Sequence, residues 1–187
     1  QTFRKNENLG YCAEVWKVPS SDVFSVINRG DHIQTSPPVD STKLVLNLHP
    51  KPQFGYFNLH GVQESSEWYG QADLTKSTSP TEYPVALVPS NLNSDASIPD
   101  IVFSEACYGA NIIEKTADQS IAMQFLAAGS RGFVGSTCIA YGSVERPLIA
   151  ADLLAHQFWT HIQNGISVGY SLMRAKLNLA SAMVQSQ

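Results

Sequence analysis

The chain reads as an α/β protein built on a mostly parallel sheet with helices on its faces. Short apolar and aromatic runs at 55–59, 100–104 and 132–136 have the length and residue types of buried strands. Segments with helical apolar spacing separate and follow them, and strands alternating with helices imply parallel pairing. The 187 residues, 43% of them hydrophobic, suffice for one domain with a sizeable core. We take residues 1–187 as that domain; the pattern describes 1–54 least.

The first expected helix follows Pro19. Ser20, Ser21 and Asp22 supply caps, Val23, Val26 and Ile27 an apolar face, and Gly30 a stop. Residues 31–38 are turn-rich. In 41–48, Leu44, Val45 and Leu48 fit helical spacing, although Leu44 to Leu48 also fits a strand. A helix is preferred, because Pro50 and Pro52 close it and a clear strand follows. That strand is Gly55-Tyr56-Phe57-Asn58-Leu59, ending at His60-Gly61. Residues 62–99 are long and irregular, with an edge strand at 84–89 between two prolines. A connection this long in a compact domain is usually functional.

The next core strand, Asp100 to Ser104, ends at Glu105-Ala106-Cys107. Thr116-Ala117-Asp118-Gln119 is a capping box. It opens a helix through Ile121, Ala122, Phe125 and Leu126, stopped by Gly129. A strand at Gly132–Ser136 follows. Two helices end the chain. Ala151, Leu154, Ala155, Phe158 and Ile162 form the stripe of the first, which Gly165 ends. Val168, Leu172, Ala175, Leu179 and Ala182 form the stripe of the second.

Charge and composition exclude several functions. Twelve basic residues against sixteen acidic ones give a net charge of -4, with no basic run, which argues against nucleic acid as a partner. No apolar stretch approaches the roughly 18 residues that span a bilayer. The three cysteines, Cys12, Cys107 and Cys138, have no C-x-x-C spacing, which disfavours a structural metal site. They leave either one bridge between Cys12 and Cys138, with Cys107 free, or small buried apolar residues. His156 and His161 are five apart on a helix and diverge, so no metal-binding face is expected, and no cofactor is implied. The chain opens at Gln1, which points to a processed or a trimmed chain.

The chemistry concentrates where two strands end. In open parallel sheets ligands bind beyond the carboxyl ends of the strands. His60-Gly61 and Glu105-Ala106-Cys107 both fall there. A lone histidine beside a glycine, or a lone cysteine, is more often structural; the pair is a cysteine nucleophile with a separate acid–base group. Gly61, with no side chain, lets its backbone approach a substrate. Its N–H and that of Cys107 are the candidate oxyanion hole. Glu105 shares a strand face with Cys107 if extended geometry persists. A carboxylate does not activate a thiol, so Glu105 is read as lining a pocket. Trp68, in the loop after the histidine, is a candidate aromatic wall of that cleft and equally a candidate for a satellite hydrophobic cluster.

These motifs, a strand ending in His-Gly and another ending in Glu-Ala-Cys-x-Gly, resemble the caspase-like (clan CD) cysteine peptidases, and most of all the gingipain family. The separation between residues 60 and 107 suits that group. So does the text Ser120-Ile121-Ala122, Phe125 to Thr137, Ala151-Asp152-Leu153-Leu154, Phe158-Trp159 and Gly165 to Gly169. Residues 55–183 carry the resemblance. It implies a caspase-like three-layer α/β/α sandwich and a cysteine endopeptidase with His60 and Cys107 as its dyad. A polypeptide would be the substrate. Glu105 would line the primary specificity pocket, as the acidic residue two before the cysteine does for basic side chains in metacaspases and clostripain. Legumain shares Glu-Ala-Cys and prefers asparagine, so a basic residue before the cut is one of two specificities. Gingipain-type enzymes add an acidic residue near the histidine; Glu64, Glu67 and Asp73 are candidates. Full gingipain-type domains have further strands before the histidine and after the last helix, so this chain reads as a partial domain of a longer parent. The resemblance tilts localisation towards the extracellular space or cell envelope. The rival expectation is a CHAT-like signalling or interaction domain, or an inactive binding module, of the same fold.

Overall fold

A computed structural model describes residues 8–28, 33–75, 81–93 and 95–185. Its centre is a five-stranded sheet of β1 (Leu9–Ala13), β2 (Gln34–Ser36), β3 (Phe54–Asn58), β7 (Ile101–Ser104) and β8 (Gly132–Val134), ordered β2-β1-β3-β7-β8 with every pair parallel. Between β3 and β7 the chain forms a small antiparallel sheet of β4 (His60–Gly61), β5 (Trp68–Tyr69) and β6 (Val85–Leu87). The helices are α1 (Lys17–Phe24), α2 (Ile121–Ala127), α3 (Ala150–Gln163) and α4 (Val168–Gln185). None of them is long and apolar enough to cross a membrane.

Strand alternation splits the core into two layers. Tyr11, Phe57 and Val102 face one side, where they pack with Ile121 and Phe125 of α2, Trp68, Leu87 and Leu92. Cys12, Tyr56 and Phe103 face the other, with Val23 and Phe24 of α1, Phe158, Trp159 and Ile162 of α3, and Ala175 of α4. Both faces of the sheet are therefore covered, as parallel strands require. The arrangement has the layers of an α/β/α sandwich.

Several elements depart from expectation. Residues 41–48 form neither helix nor strand. The Asp40 carboxylate takes the Thr42 N–H at 3.0 Å and the Lys43 N–H at 3.2 Å, capping a single turn closed by Leu44 N–H to Asp40 O at 2.9 Å, after which the chain leaves helical geometry. Leu46 is buried in the α2-side core, with Leu44 and Leu48 packed against it. Helix α1 starts two residues before Pro19, and neither Ser20 nor Asp22 caps it; Val26 and Ile27 lie in turns beyond its end. The expected stop at Gly30 lies outside the described residues. The Thr116 box closes only a 3-10 turn at Ala117–Gln119. Ser120 caps α2, its hydroxyl accepting the Met123 N–H. Gly129, at φ 109°, ends α2 as expected. Strands β1 and β2 were not foreseen.

Candidate active site

Four strand ends deliver the site. After β1 the chain turns through Glu14–Trp16 and presents the Trp16 ring. After β3 come Leu59, His60 and Gly61. The β3–β7 ladder runs one residue past β7, with the Glu105 N–H donating to Phe57 O at 2.8 Å. The chain then turns sharply, Gly109 N–H to Ala106 O at 2.9 Å, with Tyr108 in the left-handed region at φ 55°. After β8 a long loop crosses the cysteine turn and is bonded to it by Tyr108 N–H to Cys138 O at 2.9 Å and Ala110 N–H to Ser136 O at 2.8 Å.

These pieces enclose an open hollow of about 360 Å³. His60, Cys107 and Glu105 all line it, with Trp16 and the loop residues 140–143. Three of the residues singled out from the sequence thus meet in one cavity. Extended geometry ends at Glu105, so the turn at residues 106–109 is what brings Cys107 to the hollow.

Gly61 is packed against the cysteine turn. A Cβ built on it would collide with the Cys107 carbonyl oxygen, well inside the 3.0 Å that real Cβ atoms keep. The missing side chain therefore lets the histidine strand and the cysteine turn touch, the close approach for which glycine suits. The Cys107 sulfur is half-buried and lies against Ala140, whose N–H points at it from 3.3 Å and whose carbonyl is 3.4 Å away. That amide supplies a donor to any negative charge carried by sulfur.

Trp68 does not wall this hollow. It is 4% exposed and packs on Phe57, centroid to centroid 5.8 Å, and Phe133, 6.4 Å. Period-two alternation explains the correction: β5 turns Trp68 into the core and Tyr69 the other way. The aromatic wall is Trp16, whose ring lies 4.3 Å from that of His60.

Below the hollow lies a buried acid pair. Glu105 is 6% exposed and Asp152, in the first turn of α3, is fully buried. Tyr56 donates its hydroxyl to Glu105 at 2.6 Å. Asp152 accepts the Ser143 N–H at 2.5 Å and the Asn58 amide at 3.4 Å, and Asn58 also donates to Ser20 at 3.0 Å. Burial, reinforced by the charge of Asp152, holds the Glu105 carboxyl well above its ordinary range. Burial raises Asp152 too, while the Ser143 amide and a hydrogen bond from Glu105 oppose the rise. Glu105 therefore keeps the proton and donates it to Asp152.

Of the acidic residues expected near the histidine, two are bonded to neighbours two residues on. Glu67 accepts the Tyr69 hydroxyl at 2.8 Å, Asp73 accepts from Thr75 at 2.6 Å, and Glu64 is exposed. The partner at His60 Nε2 is Gln71 Oε1, at 2.9 Å. All three cysteines are free: Cys12 is buried, its thiol pushed up to about 12 by burial, and Cys138 is exposed. Among the described residues no three His, Cys, Asp or Glu side chains cluster as a metal site.

Sequence reasoning missed Trp16, Gln71, the loop 140–143 and any role for Asp152. None carries a local motif, and each reaches the site from a distant part of the chain. The turn-rich loop after β8 was the available signal. A scan of protein-family models, a search of curated proteins and a search of solved structures found no match to the chain.

Proposed function

We propose that the chain is a cysteine endopeptidase domain of the caspase-like group, most similar to the gingipain branch, and that its substrate is a polypeptide. The observation that carries the proposal is the convergence of His60 and Cys107 on one hollow at the carboxyl edge of a parallel sheet. The α/β/α layering and the strand order are compatible with the caspase-like fold.

The chemistry is acyl transfer. Cys107 gives its thiol proton to His60 and its sulfur attacks the scissile carbonyl, while the developing oxyanion takes N–H donors from Gly61 and Cys107. His60 protonates the leaving amine and then activates the water that releases the acyl group. Trp16 and the loop 140–143 bound the space in which this occurs. Glu105 and Asp152 at the base of the hollow suit a cationic side chain before the cut. Its charge stabilises ionised carboxylates and so displaces the proton they share.

The test is labelling by a peptide acyl electrophile. Wild type incorporates one equivalent and Cys107→Ala none; equal labelling of both removes Cys107 as nucleophile and leaves a binding domain. A substrate panel with Arg, Lys, Asn and Asp before the scissile bond then examines Glu105. Preference for Arg or Lys supports the basic pocket, and preference for Asp sinks it.

A further inference from the structure

We propose that Gln71 is the positioning residue of His60, and that the Tyr83–Gln71 pair dictates which ring nitrogen is left free. This rests on the acid–base reading of His60 only for its consequence; the geometry stands without it.

The direction follows from the Gln71 side-chain amide, which has one donating and one accepting end. Its NH2 donates to the Tyr83 hydroxyl oxygen at 3.2 Å. The other end of the same amide, the carbonyl oxygen, then faces His60 Nε2 at 2.9 Å. A carbonyl cannot donate, so in the neutral ring Nε2 carries the hydrogen and Nδ1 keeps its lone pair. The amide thus selects the tautomer, a role that partners of histidine commonly fill.

This pair is held rigidly. Gln71 N–H donates to Ser36 O at 3.0 Å, and Gln71 O accepts the Val15 N–H at 3.2 Å. Gly70 N–H donates to Pro84 O at 2.9 Å and Ala72 N–H to Glu82 O at 2.8 Å. Residues 70–72 are thereby tied both to the ends of β1 and β2 and to the strip bearing Glu82 and Tyr83. The ring of His60 is clamped between Trp16, at 4.3 Å, and Tyr83, at 5.5 Å and edge-on. Orientation and tautomer are fixed together. A neutral amide does this without placing a carboxylate on the ring, which distinguishes the site from a dyad backed by an acid.

The experiment is 15N NMR of the histidine side chains of the full chain, with His60 assigned through His60→Gln, recorded at a pH where the ring is neutral. The Nε2–H tautomer is expected to dominate in wild type. Gln71→Ala lowers the Nε2–H share towards that of a free histidine, while Gln71→Glu retains it, because a carboxylate in the same place also only accepts. Tyr83→Phe, a change at an exposed residue, weakens it by freeing the amide to turn over. A dominant Nδ1–H tautomer in wild type overturns the proposal, as does an unchanged tautomer in folded Gln71→Ala. The readout requires no activity. Failure of Cys107 labelling refutes the peptidase reading, and failure of the tautomer prediction refutes the role of Gln71.

Discussion

Gly61→Ala probes the contact that joins the two halves of the site. The new methyl carbon would sit on the Cys107 carbonyl oxygen, with the carbonyl carbon and the Ala106 methyl also close, at 3.1 and 3.3 Å. The nearest of these is backbone, so no flexible side chain can swing aside; the His60–Gly61 strand and the cysteine turn must part. Overpacking of this kind costs about 1–3 kcal/mol. For a chain of this length each kcal/mol lowers Tm by about 2–4 °C, so a fall of roughly 2–12 °C is expected. A misplacement of about 1 Å between reacting groups costs on the order of 100-fold in rate. Urea denaturation and the rate of Cys107 modification by a peptide acyl electrophile measure the two effects. Gly169→Ala is the control: it lies in the first turn of α4 with nothing within 4 Å of the added methyl, and should stabilise by a few tenths to about 1 kcal/mol. If Gly61→Ala stays within about 0.5 kcal/mol of wild type and reacts at the same rate, the loops are not in the contact described, and the reasoning fails.

Three further outcomes are expected. The folded state keeps the Glu105 proton above the 4.5 at which an unfolded glutamate loses it, so that contribution is complete below pH 4.5 and declines as pH rises towards the folded titration. Glu105→Gln has no such proton, and its stability should fall less than wild type between pH 5 and 8, by at most about 1.4 kcal/mol per pH unit; identical urea-denaturation slopes would contradict the shared proton. Phe158→Ala removes a fully buried ring wedged between Phe103 and Trp159, centroids 5.1 and 4.9 Å away, and should cost about 3–5 kcal/mol in chemical denaturation; a loss below 1 kcal/mol would dispute the packing of α3 on the sheet. Iodoacetamide at neutral pH should alkylate exposed Cys138 and spare Cys12 until the chain unfolds, as peptide mass spectrometry would read; early alkylation of Cys12 would deny its burial.

Strands β3 and β7 were legible because they are runs of aromatic and branched residues, buried on both faces and bounded by Pro, Gly or polar turns. Strand β1 was not. Leu9-Gly10-Tyr11-Cys12-Ala13 lacks alternation and carries a glycine, yet it is a buried inner strand between β2 and β3. Its Gly10 makes sense only in three dimensions, where a Cβ would strike the Phe24 ring at 2.8 Å. The segment 41–48 shows the converse error: apolar spacing suited a helix, but only one turn forms after Asp40, and Leu46 is drawn into the core instead. At α2 two capping signals lay close together, and Ser120 rather than Thr116 caps the helix.

What the sequence determined by itself was local: two strand ends, each placing a candidate site residue two or three steps beyond its last paired residue, and the layer architecture that follows from alternating strands and helices. His60, Cys107 and Glu105 could be named because strand, turn and side chain are consecutive in the chain. Trp68 misled because nearness in sequence says nothing about which face of a two-residue strand a ring occupies. Only the tertiary structure decided that Trp16 replaces it, that Asp152 shares the proton of Glu105, that the Ala140 amide points at the sulfur, and that Gln71 holds the histidine. Each of these depends on packing between segments tens of residues apart. Such contacts are set by how the sheet and its helices close on one another, and leave no periodic trace in the residues that make them.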